Sequence, residues 1–574
     1  MRGWLVHPVL LLLATALAAC APGPRPADQP APPAREASPS SGGRALVIAV
    51  RYEATELHPK IVAGGPGYAT KRAFNANLTL IDAAGETRPY LADSLPQLNS
   101  ESWKVFPDGG METTYHLKPN LVWHEGTPLS ADDWVFAYQV YTTPGLGSFT
   151  SKPQDLIAEV TAPDERTLVI RWRSSYPAAG RLNYQDLEPL PRSILEAPFT
   201  AYQQDPTSQD VLMGIPFWTT EYVGLGPFKL ERWEPGISIE GSAFDRHALG
   251  RPKIDRIIIK IIPDENTAVT NLLTGAVDLA TDFTLRFEHG IELKRQWDPG
   301  QRGVVIMRPG TRHYMLAQFR PEFLQTQALA DVRVRRALAH AIDRNSINDA
   351  LFEGQGLISD HMAWTGMPYA KDVERAITHY PFDPQRVEQL LNEAGFRKEG
   401  AGFVTAAGER FRPHLMVDSA ALFERELNVV QDSWTRIGID VDPFILPAAQ
   451  IRNNEPRNTW PDLYLTSGGV READMNLLTT SEIGTAARRW AGNNRTGWSN
   501  PDYDRWWAAF NTSLEPAQQG QAVVEMLKVV SDQVPLVFLY FNIIPIAHVA
   551  ALHGPVLETP ESSPLSNIHV WEFR

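Results

Sequence analysis

Val122-Trp123-His124-Glu125-Gly126-Thr127-Pro128-Leu129-Ser130-Ala131-Asp132-Asp133, preceded by Tyr115-His116-Leu117-Lys118-Pro119, is the stretch on which the reading of this chain turns. Its end, Ser130 to Asp133, has the form of a capping box at the start of a helix. Trp134, Ala137, Tyr138 and Tyr141 then fall on one face of that helix and form an apolar stripe ready for burial. His124-Glu125 is not followed by a second histidine at metal spacing, so the pair is not a zinc site.

Outward from this stretch, strand and helix patterns alternate along the chain. Ala45-Leu46-Val47-Ile48-Ala49-Val50 is a continuous apolar run suited to a buried strand. Leu168-Val169-Ile170 and Ile257-Ile258-Ile259 also read as strands. Thr267 to Thr274 reads as a short helix stopped by Gly275, with the strand Ala276-Val277-Asp278-Leu279 behind it. Asp331 caps a helix whose Val334, Ala337, Leu338, Ala341 and Ile342 recur at i, i+3, i+4. Asp383-Pro384 opens another, burying Val387, Leu390, Leu391 and Ala394 until Gly395 ends it. No short repeat period is visible, which excludes solenoids and propellers. The expected class is α/β, with helices covering sheets in more than one layer set.

The first residues describe an export signal: Met1-Arg2, an apolar stretch from Trp4 to Ala19, then Cys20. His7 and Pro8 interrupt the stretch, which falls short of the roughly 18 residues that span a bilayer. Leu17-Ala18-Ala19-Cys20 resembles the bacterial lipobox, whose cysteine is acylated and becomes the first mature residue. Cys20 is the only cysteine in the chain, so no intrachain disulfide forms and lipidation is its expected use. Two or more acyl chains anchor a protein stably where one is marginal. Residues 1–19 thus read as signal peptide and 20–43 as lipidated cysteine plus tether. Pro22, Pro24, Pro26, Pro30, Pro32, Pro33 and Pro39 leave that tether too few apolar side chains to fold.

The remaining length, about 530 residues, exceeds one hydrophobic core and implies at least two lobes. A formal net charge of −14 argues against nucleic acid or anionic lipid as partner. Sixteen Trp and sixteen Tyr suit a cleft that stacks on varied ligands.

Several further motifs stand in order along the chain. They are Asn77-Leu78 to Gly85 with Pro89-Tyr90-Leu91-Ala92-Asp93-Ser94; Gly224-Leu225-Gly226-Pro227-Phe228 with Trp233-Glu234-Pro235-Gly236; Leu273-Thr274-Gly275-Ala276-Val277-Asp278; Val332-Arg333-Val334-Arg335-Arg336-Ala337-Leu338 to Ile342-Asp343-Arg344; Leu390-Leu391-Asn392-Glu393-Ala394-Gly395-Phe396; and Trp498-Ser499-Asn500-Pro501 before Tyr503-Asp504. Together with the opening stretch, they resemble the extracytoplasmic solute-binding proteins of ABC importers, of the oligopeptide and dipeptide-binding (bacterial family 5) type. The resemblance covers roughly residues 45–574 and rests mostly on turn glycines, caps and core aromatics. It implies a periplasmic-binding-protein-like α/β fold of two lobes joined by a two-strand hinge, with an enlarged first lobe. By that likeness lobe I takes 44–312, with an extra subdomain about 85–225. Lobe II takes 313–535, residues 536–574 return to lobe I, and the hinge falls near Arg312-His313-Tyr314 and Val534-Pro535.

The resemblance also implies the function: capture of a peptide or other small solute between the lobes, and delivery to an ABC permease and ATPase complex. Peptide receptors of the family pair the ligand amine with an aspartate of lobe II. Here that position falls at Gly468 or Gly469, with Arg471, Glu472 and Asp474 close by. The glycines open space or let the backbone approach ligand. Asn75, Tyr314, Gln318 and Trp364 are further candidates for the cleft, and Arg452 and Arg457 are candidates for a ligand carboxylate. No nucleophile elbow, phosphate loop or cysteine cluster is present, so neither an enzyme nor a cofactor nor a metal is expected. A monomer is expected. An oligosaccharide, a sugar conjugate, a chelated metal, or a sensing role without transport remain alternatives.

Overall fold

An 11-stranded mixed sheet runs through both lobes of the computed structural model, which describes residues 43–60, 67–146, 153–184, 186–207, 209–281, 283–556, 559 and 564–574. The expected signal peptide and Cys20 lie outside the described residues. In chain order the strands are β1 Leu46–Val50, β2 Phe228–Glu234, β3 Ser238–Ala243, β4 Arg256–Ile261, β5 Leu279–Ala280, β6 Gly303–Ala317, β7 Leu357–Ile358, β8 His414–Asp418, β9 Asp442–Leu446, β10 Leu463–Gly468 and β11 Leu536–Val549. Across the sheet they run β9-β8-β10-β6-β11-β5-β1-β4-β3-β2, with β7 pairing alongside β11. The apolar run Ala45 to Val50 forms β1, parallel to both β4 and β5. A strand covered on both faces needs apolar residues at every position, and Leu46, Ile48, Ala49 and Val50 are all buried.

Between β1 and β2 the chain builds the subdomain of lobe I, a four-stranded sheet ordered Trp103–Val105, Met111–His116, Thr167–Trp172, Ile157–Asp164. The helix Asp132–Thr142 buries Trp134, Ala137 and Tyr141 in the lobe I core. Its start differs from the expected box, because Ala131 holds the cap position and no side chain caps the helix. Half of the box survives: Asp133 accepts the Ser130 N–H at 3.0 Å. Asp133 also accepts the Trp123 indole N–H at 3.3 Å and the Arg192 N–H at 3.2 Å, tying the opening stretch to the next helix. The other starts follow the sequence. Asp331 caps Val332–His340 and Asp383 caps Pro384–Glu393, while Gly275 and Gly395 take the left-handed conformation at helix ends.

Lobe I packs around Phe74, Tyr115, Trp134, Trp172, Phe228 and Trp571, with a smaller core of Leu272, Leu293 and Trp297. Lobe II has a core on each face of the sheet, one around Leu338, Trp434 and Tyr540 and one around Trp460, Tyr464, Met526 and Phe538. The lobes are joined by β6 and β11, which pair antiparallel from Gly303 opposite Val549 to Leu316 opposite Leu536. Val305 and Ala547 pack in lobe I, whereas Met315, Val537 and Ile543 pack in lobe II. The ladder slips between Pro309 and Thr311. Arg312-His313-Tyr314 lies just beyond this slip, and along β11 the packing changes from one core to the other between Ile543 and Ala547. Among the described residues no helix is long and apolar enough to cross a membrane.

Candidate ligand-binding cleft

The end of β10 lies against β6, with Gly468 opposite Arg312. A Cβ on Gly468 would collide with the Tyr314 hydroxyl, and one on Gly469 with an Asp474 carboxylate oxygen. Glycine here therefore admits neighbouring polar side chains; the space expected for ligand is already occupied by Tyr314 and Asp474. Asp474 in turn is held by the Arg471 main-chain N–H at 3.0 Å and the Arg471 guanidinium at 3.2 Å, so it is no open partner for an amine.

Beside this turn a cavity of about 130 Å³ opens, lined by Tyr314, Ser467, both glycines, Asn476, Asn493 and Arg495, with Asp474, held by Arg471, also on its wall. Its surroundings are rich in cations. Arg312 is fully buried and donates only to carbonyls, those of Met362 (2.9 Å), Gly469 (3.2 Å) and Arg471 (3.0 Å). Arg457 donates to the Tyr464 hydroxyl at 3.1 Å and lies 3.7 Å from Asp418. Burial pulls the Arg495 guanidinium below its ordinary value, and Arg457 nearby adds repulsion. Glu472 accepts the Tyr369 hydroxyl at 2.6 Å.

Across the cleft, lobe I contributes a polar wall. Lys71 and Glu56 pair at 2.8 Å in the interior. Lys60 is fully buried, and desolvation pulls its pKa down to about 8 against the opposing pull of Asp186, Glu188 and Asp155. Burial raises the Asp186 carboxyl, while Lys60, Arg181 and Arg471 act against that rise. Arg471 belongs to lobe II and Asp186 to lobe I, so the turn at 468–474 faces the Lys60–Asp186 wall.

The expected site residues divide accordingly. Tyr314, Gly468 and Gly469 line the cavity, with Arg457, Arg471 and Glu472 around it. Asn75 is turned inward: its amide donates to the carbonyls of Leu57 and Lys71 and accepts the Tyr222 hydroxyl. Gln318 is likewise engaged within lobe II, its amide binding the Asn458 and Trp460 carbonyls and receiving the Arg320 N–H. Trp364 lines a separate cavity of about 420 Å³ with Phe541 and Lys371, and its indole N–H has no partner among the described residues. Arg452 is exposed and lines none of these cavities. Arg495 and Asn493 escape a reading of the sequence, because nothing local in Asn493-Asn494-Arg495 signals that the fold encloses it.

One group could in principle ligate a metal: Asp360, His361 and Glu374, whose ligand atoms lie within 4.8 Å of one another. His361 Nδ1 accepts the Ala363 N–H at 3.2 Å, so its proton sits on Nε2, facing Glu374 at 2.8 Å. In that tautomer the ring is engaged at both nitrogens, and the group reads as a hydrogen-bonded pair with Asp360 beside it.

Comparison with known proteins places this architecture. The family model described as bacterial extracellular solute-binding proteins, family 5 (middle region), matches residues 94–480. The oligopeptide-binding protein AppA of Bacillus subtilis is 24% identical over 568 residues, covering 93% of this chain and 92% of its own length. In structure, the oligopeptide binding protein of Thermus thermophilus, complexed with a pentapeptide, superposes with a TM-score of 0.71 at 20% identity, covering 92% of this chain and 96% of its own. NikA of Brucella suis, in complex with Fe(III)-EDTA, superposes with a TM-score of 0.73 at 16% identity, covering 93% of this chain and 100% of its own. At such identities the structural likeness speaks for the fold, while the family match spans most of the chain. The two lobes, the paired crossing strands and that match together make this chain a member of the bacterial extracellular solute-binding proteins, family 5.

Proposed function

We propose that this protein captures peptides between its lobes and delivers them to an ABC permease and ATPase complex. The observation that carries the reading is the match along nearly the whole chain to a relative named for oligopeptide binding. The cleft suits such a ligand. The main chain of Gly468 and Gly469 with the amides of Asn476 and Asn493 offers donors and acceptors to an extended peptide backbone. Rotation about β6 and β11 would bring the turn at 468–474 toward the Lys60–Asp186 wall, and the closed form is the one a bound peptide selects. The protein acts as a binder that returns its ligand unchanged, and works as a monomer. Its anchor is a lipid on Cys20, supported by Leu17-Ala18-Ala19-Cys20 and the proline-rich stretch behind it.

The test is native mass spectrometry of the full-length chain with a mixture of tri- to pentapeptides. Retained, uncleaved peptides and a ligand-dependent rise in melting temperature are expected. Retention of oligosaccharides or metal chelates instead of peptides would refute the peptide reading. For the anchor, Cys20→Ser should move the protein from the membrane fraction to the soluble one, and continued pelleting would refute lipidation.

A further inference from the structure

Arg495 is the feature of the cleft that its own fold leaves unanswered. It comes from the segment after Asn494, whose amide is buried and locks the turn by donating to the carbonyls of Thr479 and Trp498. Asn494 also accepts the N–H groups of Thr496 and Gly497, so the backbone on both sides of Arg495 is rigid. The Arg495 carbonyl receives the buried Arg320 guanidinium at 2.7 Å, which fixes its Cα. The side chain then reaches the cavity beside Tyr314, Gly468 and Gly469.

There the guanidinium has no carboxylate within ion-pair distance among the described residues. Asp418 lies nearest to Arg457 and hydrogen-bonds Tyr464, Asp474 is held by Arg471, and Glu472 is turned to Tyr369. Arg312 behind the cavity likewise has only carbonyl partners, and its buried Nη2 has none. Arg312, Arg457, Arg471 and Arg495 thus outnumber Asp418, Glu472 and Asp474: Arg457 lies against Asp418 and Arg471 against Asp474, Glu472 is turned to Tyr369, and Asp418 acts on Arg495 only from beyond ion-pair distance. Enclosing a cation with too little counter-charge is unfavourable unless a ligand supplies more. A planar guanidinium at a cavity wall, flanked by the Asn476 and Asn493 amides and the Tyr314 hydroxyl, is a donor array that fits a carboxylate.

We infer that this cavity of lobe II binds a carboxylate of the ligand, with Arg495 as its principal donor, so that the lobe II turn reads the acidic end of a peptide and not its amine. The inference rests on the peptide reading above and deepens it.

The test titrates the full-length chain with tri- to pentapeptides ending in alanine, each as free acid and as C-terminal amide, by isothermal titration calorimetry. Amidation is expected to weaken binding at least tenfold in the native protein. In Arg495→Gln the free acid and the amide are expected to bind within about twofold of each other, and Arg495→Lys should keep part of the discrimination. Equal binding of acid and amide by the native protein would overturn the inference while leaving the peptide reading intact. That comparison needs no variant, so it decides even if Arg495→Gln fails to fold. Binding of inorganic phosphate or acetate that Arg495→Gln abolishes, with no peptide bound, would sink the peptide reading and keep the anion site. Absence of binding by every probe would overturn both.

Discussion

Asp133 shows how one side chain can hold a signature together. It is buried and accepts from Ser130, Trp123 and Arg192, and burial raises its pKa. Asp133→Ala leaves three donors without their acceptor and should cost about 2–3 kcal/mol, read as a lower urea midpoint at unchanged m-value. Gly469 makes the opposite point, since its importance lies in what is missing. A methyl group there would strike Asp474, so Gly469→Ala should displace Asp474 from Arg471 and weaken peptide affinity, with the melting temperature changed by only a few degrees. An unchanged dissociation constant would show that the turn is remote from the ligand. Gly468 and Gly469 are found in the sequence by their place in a motif. Which atoms fill the space a Cβ would need is a property of distant neighbours, and no local pattern encodes it.

Among the elements, the crossing pair β6 and β11 carries the most consequence. Gly310 sits at the register slip, where a Cβ would collide with Ile544 Cδ1. Gly310→Val should therefore force the two strands apart and cost about 1–3 kcal/mol, measured by thermal or urea unfolding. The helices at Val332–His340 and Pro384–Glu393 are legible in the sequence because caps, periodicity and terminators are all local. The helix at Asp132–Thr142 is legible in position, yet its cap is not, since the Asp133 carboxylate serves Trp123 and Arg192 as well as the helix end. The strand expected at Ala276–Leu279 shrinks to Leu279–Ala280, because Asp278 is drawn off to bind the Val47 N–H and Arg44.

At the scale of the whole molecule, buried neutral histidines tie stability to pH. Burial holds His58 well below its ordinary value, with Lys71 and Lys60 adding repulsion. It brings His247 down to about 4, where Tyr90 and the Gly250 carbonyl share the ring and His569 and Lys118 repel its charge. A depressed histidine stabilises the fold above its unfolded pKa of about 6.5, and that stability is lost as pH falls through and below that value. Charging of His247 should remove about 2 kcal/mol between pH 7 and pH 5, and His58 acts in the same direction. The urea midpoint is expected to fall over this range, and His247→Gln should flatten the slope; a slope unchanged by that variant would refute the assignment. Ligand capture belongs to this scale as well. Peptide binding should reduce the radius of gyration measured by small-angle X-ray scattering, as the lobes rotate about β6 and β11. A radius unchanged at saturating peptide would refute closure.

The order of motifs from Asn77 to Asp504 determined the family, the two-lobe α/β fold and the capped helix starts at Asp331 and Asp383, because caps, turn glycines and apolar periodicity act over a few residues. Tertiary structure decided the site. It turned the amides of Asn75 and Gln318 inward onto main chain and neighbouring side chains, closed the glycine turn around Tyr314 and Asp474, and left Arg495 on the cavity wall with no carboxylate at ion-pair distance among the described residues. The physical reason is range: whether a charge in a cleft is free or paired depends on residues brought from other strands, far along the chain from the charge itself.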